Sequence, residues 1–424
     1  MKSFNMKQVY LLSILLLVSS GFKSAKQVPK IDVQRFQKIE MLWDLESLSS
    51  PPAFSWIDST SAVRSLLFES VPFDGKSTKV FAYYSNPDLL QGRKTGKPFP
   101  GVVLIHGGGG KAFKEWVEKW AADGYAAIAM DLGGKDASGK SFEMAGPDQS
   151  HEIKFSIIKN GNLKNVWSYH AVASVILAHS LLLNLPEVDA DKTCVTGISW
   201  GGYLTCLVAG LDNRFKAAVP VYGCGYYNES DAFGKPLSEL TPHYSEQWMK
   251  YFDPSAYLPY ATSSLFFING NKDFFYNMIP YYKTFNLAEK SDKNIRIEPE
   301  MKHGHVEGWQ PEEIRYFFES VVNGGVPLPK IGKIEPGDST VVASFSSHIG
   351  LRSARFYYSS DTISTNAKRQ WSDVAAQIDQ NQKKISCKTP IVDFKYAFFY
   401  VTDNREASVS SPIYIQSQVL MNNR

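Results

Sequence analysis

"TCVTGISWGGYLTCLVAG", residues 193–210, holds a serine between two glycines in the middle of an apolar run. The stretch "KTCVTG" (192–197) reads as a buried strand and "GYLTCLVAGL" (202–211) as a helix with Leu204, Leu207, Val208 and Leu211 on one stripe. Neither element wants glycine inside it. Gly197-Ile198-Ser199-Trp200-Gly201 is therefore expected to be a tight strand-to-helix turn that lifts Ser199 out of the sheet. A serine hydroxyl is a poor nucleophile until a base takes its proton. Such a turn exposes the oxygen, and the helix start offers backbone N–H groups and a favourable dipole to a developing oxyanion.

Three further segments fit that chemistry. Upstream, "LIHGGGG" (104–110) follows an apolar run and can turn backbone N–H groups inward. With the N–H of Trp200 as one oxyanion donor, Gly108 or Gly109 is expected to supply the other. His106 is read as a brace for this loop. No G-x-G-x-x-G or G-K-[ST] spacing follows, which argues against a phosphate cradle. Downstream, "LFFINGNKDFFY" (265–276) puts Asp273 just past the carboxyl end of a strand, where catalytic groups of open α/β sheets gather. Asp253 in "YFDPSAY" (251–257) is the rival acid, although Asp before Pro reads first as a turn residue. Finally, "IRIEPEMKHGHVEGW" (295–309) offers His303 and His305. His303, followed by Gly304, is the expected base, with His305 as the alternative base or a substrate contact. An H-x-H metal site would need further ligands at familiar spacing, and none follows. The chain order is Ser…Asp…His.

The rest of the chain supplies a matching frame. "VRSLLFES" (63–70) and "KVFAYYS" (79–85) read as antiparallel strands. "GVVLIH" (101–106) reads as a strand buried on both faces, and "YAAIAMD" (125–131), "AAVPVYG" (217–223), "SLFFING" (264–270) and "IRIEPE" (295–300) read as further strands. Helices are expected at 113–124, 165–185, 280–290 and 311–322. This alternation predicts an α/β fold with a doubly wound, mostly parallel sheet over residues 65–327. Two long inserts, 133–164 and 223–262, are expected to act as lids or site walls. Residues 25–64 read as an N-terminal arm. After "GGVPLPKIG" (324–332) helical periodicity disappears, and short alternating runs over 333–424 predict a small all-β sandwich of immunoglobulin or fibronectin type.

Composition narrows the partners. The 45 basic residues are offset by 42 acidic ones, which argues against a nucleic-acid binder. Lys2 and Lys7 precede the apolar run "VYLLSILLLV" (9–18) and then "SSG", the layout of a signal peptide over residues 1–24. Cleavage is expected near Gly21 or Ala25, leaving no membrane span and placing the chain in the periplasm or outside the cell. Of the four cysteines, Cys194 and Cys206 read as small buried hydrophobes, and a Cys206–Cys224 bridge is conceivable.

On these residues the chain resembles the α/β-hydrolases, in particular dienelactone-hydrolase-like and acetylxylan-esterase-like exported bacterial esterases. The resemblance rests on "HGGGG" (106–110), "WAADGYAAIAMDLGG" (120–134), "GPDQS" (146–150), "GISWGGYLT" (197–205), "VPVYGCG" (219–225), "NGNKDF" (269–274) and "KHGHVEGW" (302–309). It implies hydrolysis of a carboxyl ester through an acyl-serine, without metal or cofactor. Dienelactone hydrolases use a cysteine nucleophile where this chain has Ser199, which favours esters over lactones. The aromatic residues Trp200, Tyr222, Tyr226, Tyr227, Phe274, Phe275, Tyr276 and Trp309 lie in the expected site segments. They are either core or a stacking surface for sugar rings, and of these Tyr226, Phe274 and Trp309, with His305, are the expected substrate contacts. Export and stacking together point to a carbohydrate ester, and the resemblance implies an acetyl or other small acyl group on a polysaccharide or oligosaccharide. A prolyl-oligopeptidase-like peptidase, a lipase and a non-catalytic module are the competing readings.

Overall fold

Residues 28–422 are described in a computed structural model of the chain. The leader expected over 1–24 lies outside the described residues. No described helix is long and apolar enough to cross a membrane.

The apolar runs form one mixed sheet. Among the described residues its strands are β1 (Phe54–Asp58), β2 (Arg64–Phe73), β3 (Lys76–Ser85), β4 (Phe99–Ile105), β5 (Ala126–Met130), β6 (Val188–Ile198), β7 (Ala217–Val221), β8 (Ser264–Gly270) and β9 (Lys293–Glu298). Their order is β1-β2-β3-β5-β4-β6-β7-β8-β9. From β5 to β9 every pairing is parallel, while β1, β2, β3 and β5 pair antiparallel. Val102–Ile105 and Ala126–Ile128 are fully buried, as parallel strands covered on both faces must be.

Helix α1 (Lys114–Ala122) lies in one layer with α4 (Glu312–Val322), joined by Trp120 against Phe318 at 5.3 Å. Helices α2 (Trp167–Asn184) and α3 (Trp200–Leu211) pack together in the other layer. The sequence predicts α3 as amphipathic, yet it is buried on every face. It sits between β6 and β7 on one side and the turn Leu258–Tyr260 of the second insert on another, so no side meets water.

Two details depart from the sequence reading. The end of the expected arm is strand β1, paired with β2 at the sheet edge. Among the short alternating runs expected over 333–424, "QWSDVAAQI" (370–378) holds two strands. Ser372–Ala375 joins one C-terminal sheet and Gln377–Asp379 the other, because the alternation continues unbroken where the chain crosses at Ala376.

The C-terminal region is all-β apart from short helical turns. One antiparallel sheet is built on Thr340–Ser346 and Lys384–Lys388, the other on Leu351–Ser359 and Tyr396–Asp403. Val341, Ala343, Phe356, Ile385, Phe398 and Phe399 are fully buried and continuous with the core. This region also closes the open edge of the main sheet. The N–H of Ile297 on β9 donates to Ser410 Oγ at 2.9 Å, and the Tyr400 hydroxyl donates to Glu298 at 2.5 Å. One of the edge strand's backbone donors is thereby satisfied, and its Glu298 side chain is tied to the C-terminal region.

Candidate active site

The turn after β6 has the geometry its glycines allow. Ser199 lies at φ 60° and ψ −115°, a sparsely populated region for a residue with a side chain. A Cβ on Gly197 would stand 2.3 Å from the Gly201 carbonyl oxygen, and one on Gly201 would stand 2.0 Å from that of Ile105. Only glycine lets β4, β6 and α3 approach this closely. Neighbouring strands hold the turn: the Ser199 N–H donates to the Val221 carbonyl at 2.9 Å.

Ser199, His303 and Asp273 form one hydrogen-bonded series. His303 Nε2 lies 2.9 Å from Ser199 Oγ, and His303 Nδ1 lies 2.6 Å from Asp273 Oδ2. An ionised carboxylate only accepts, so Nδ1 carries the proton and Nε2 is left to accept from the serine. The other Asp273 oxygen accepts from the N–H groups of Phe275 and Tyr276, each at 2.8 Å. The loop after β8 thus fixes the carboxylate, whose residue is 2% exposed. Tyr222 packs beneath the imidazole at 4.4 Å between ring centres and ties its hydroxyl to the Lys302 carbonyl.

The rival residues have other work. Asp253 accepts from the N–H groups of Tyr226, Tyr227 and Ser255 and organises a turn, as Asp before Pro should. His305 Nε2 accepts the Gly107 N–H at 3.0 Å, and burial lowers its pKa to about 4. It is a neutral brace for the glycine loop. His106 braces the same loop: Nδ1–H donates to the Gly107 carbonyl at 2.7 Å and Nε2 accepts the Leu132 N–H at 2.9 Å.

The glycine loop is more constrained than its sequence implies. The Gly109 N–H is engaged by Gln149 Oε1 at 2.9 Å, so Gly109 is not free to serve an oxyanion. The Gly108 N–H has no such partner among the described residues, and the Trp200 N–H opens α3, where a helix leaves its first donors unpaired.

Ser199 opens into a cavity of ≈ 390 Å³ whose wall includes Gly108, Lys154, Phe233, Phe275 and His303. Both long inserts reach it, the first through Lys154 and the second through Phe233. Phe274 is half exposed, its ring 5.5 Å from that of His303. Two expected substrate contacts fall elsewhere. Trp309 packs on Phe113 and Trp116 at 5.2 and 5.4 Å, because its helix, His305–Trp309, turns that ring toward α1. Tyr226 occupies a left-handed turn position with Lys283 over its ring and does not line the cavity.

Sequence reading missed Lys154, which lies in an insert with no periodic pattern, and Asn366, which comes from the C-terminal region; it included Gln149 in "GPDQS" (146–150) without assigning it a role. The Asn366 side-chain amide donates to the Asp273 backbone carbonyl at 2.8 Å. All four cysteines are buried and free, and the Cys206 thiol contacts the Gly223 carbonyl instead of a second sulfur.

Comparison with known proteins agrees with this architecture. Residues 20–321 match the acetyl xylan esterase (AXE1) family. The acetyl esterase Axe7A of Xylanibacter ruminicola is 24% identical over 252 residues, 56% of this chain and 54% of that protein. The chain thus matches about half the length of this curated relative. Among solved structures, an acetyl xylan esterase from Paenibacillus sp. R4 superposes with a TM-score of 0.52 at 19% identity, covering 65% of this chain and 91% of that one. Acetyl xylan esterase 1 from Thermoanaerobacterium sp. JW/SL YS485 gives a TM-score of 0.52 at 17% identity, covering 70% and 96%. These likenesses establish an α/β-hydrolase-like fold for the region that ends near α4, and with the family match over 20–321 the chain belongs to the acetyl xylan esterase family.

Proposed function

We propose that the chain is an exported serine esterase that removes acetyl or other small acyl groups from a carbohydrate. The observation that carries this reading is the series Asp273–His303–Ser199, set at the wall of a cavity beside two unpaired backbone N–H groups. In this mechanism His303 Nε2 takes the proton as Ser199 Oγ attacks the ester carbonyl. The N–H groups of Trp200 and Gly108 receive the oxyanion. Asp273 holds the imidazole tautomer and stabilises the imidazolium. His303 then returns the proton to the departing sugar hydroxyl, and water, activated by the same imidazole, releases the acid.

A small acyl group suits the cavity, since Phe233 and Phe275 close in on it. Family membership supports acetate. Export rests on the leader-like residues 1–24. The paired C-terminal sheets fit a sandwich of immunoglobulin or fibronectin type.

The test is hydrolysis of nitrophenyl acetate, butyrate and octanoate, beside acetate release from acetylated xylan, by wild type and Ser199→Ala. Acetate as the preferred acyl group, freed from the polymer and lost in the variant, supports the reading. Equal inertness of both proteins on every ester overturns it.

A further inference from the structure

Lys154 is the charge in the cavity wall that the mechanism above leaves unused. Its residue is 7% exposed. The ammonium lies 4.3 Å from the Trp200 ring centre and 5.1 Å from that of Trp167, and it makes no hydrogen bond or ion pair among the described residues. It stands beside the glycine loop, 3.7 Å from where a Gly108 side chain would begin. Burying an ammonium is costly unless a partner compensates. Two indole faces return part of that cost, and among the described residues no carboxylate pairs with it directly, Asp148 acting only through its field. We propose that Lys154 is the anion-recognising residue of this cavity, and that the preferred ester is an acidic carbohydrate whose carboxylate, as in a uronic acid, pairs with Lys154 while the acyl group lies on Ser199. This rests on the esterase reading above. The charge is available at neutral pH: burial lowers the lysine pKa to about 8, against the field of Asp148.

The test compares acetylated neutral xylo-oligosaccharides with acetylated oligosaccharides carrying glucuronate. Wild type favours the acidic substrate in kcat/KM. Lys154→Met lowers the acidic-over-neutral ratio roughly tenfold or more, through KM, and Lys154→Arg retains most of it. A wild type without preference, or a Lys154→Met that slows both substrates alike, overturns the proposal. Calorimetric titration with glucuronate and with xylose separates it from the esterase reading. Glucuronate bound by Ser199→Ala and lost on adding Lys154→Met supports the site even if no ester is cleaved. Absence of glucuronate binding overturns it.

A separate observation concerns the C-terminal sheets. Asn366 is 1% exposed, on a turn between Leu351–Ser359 and Ser372–Ala375. Its amide donates to the Asp273 carbonyl at 2.8 Å, and its oxygen accepts from Arg369 Nη1 at 2.7 Å. Arg369, itself buried, is fixed by the Asp361 carbonyl and lies 4.0 Å over the Tyr396 ring. We infer that Asn366 is a positioning residue for the acid loop, so that the all-β region completes the active site. Asn366→Asp keeps an acceptor for Arg369 and loses the donor to Asp273. Its kcat is expected to fall about tenfold with KM within about twofold, since small misplacements of a catalytic group are expensive. Asn366→Ala gives a similar loss where it folds. An Asn366→Asp variant with wild-type melting temperature, kcat and pH profile overturns the inference.

Discussion

The parallel half of the main sheet and the C-terminal sheets contribute to the same candidate site in opposite ways. The first places Ser199, Asp273 and His303 in short loops at strand ends, each marked by neighbouring glycines or by an apolar strand just before it. The second brings in Asn366 from a turn with no motif around it, 93 positions along the chain from its partner. Chemistry carried by local backbone geometry leaves a sequence pattern. Support carried by tertiary contact leaves none.

The comparison can be broken in order of expected effect. Ser199→Ala should lower ester hydrolysis by at least about 10³-fold with little change in melting temperature; residual activity near wild type would remove the parallel half from the chemistry. Asp273→Asn should cost roughly 10²–10⁴-fold in kcat, because the amide permits the wrong imidazole tautomer. A loss no greater than that of Asn366→Asp would mean that holding the loop matters more than the carboxylate it carries.

A pH profile sharpens the contrast further. A Lys154 held near pKa 8 is charged below that pH and neutral above it, so KM for an acidic ester should rise several-fold between pH 7 and 9. An ordinary lysine would hold its proton to about pH 10.4. A flat KM over that range would argue against an ion pair at Lys154. The smallest effect on catalysis belongs to Trp309→Ala. Its ring packs on Phe113 and Trp116, so the variant should lose about 2–3 kcal/mol of stability in denaturant unfolding, while KM changes little. A large rise in KM would restore Trp309 as a substrate contact.

The same contrast explains what could be read in advance. Strands such as Val102–Ile105 announce themselves because both of their faces are apolar. The edge strand Phe54–Asp58 does not, since its alternation is short and follows Pro51 and Pro52. Glycine content located the loop at 106–110, yet which of its N–H groups stays free depends on Gln149, a residue of the first insert. His303 and His305 differ in sequence only by one position on either side of Gly304. They differ in space because the short helix His305–Trp309 begins between them and turns the second ring toward Gly107. The aromatic segments were legible as a set, but their division into cavity wall (Phe275), packing against the core (Trp309) and turn (Tyr226) follows from tertiary contacts alone.

The most direct measurement is rapid-quench mass spectrometry of the protein mixed with nitrophenyl acetate, followed by peptide mapping. The account predicts one acetyl group, transiently held on Ser199 and absent from Ser199→Ala. An ester turned over with no covalent adduct, or with the acetyl group on another residue, would contradict it.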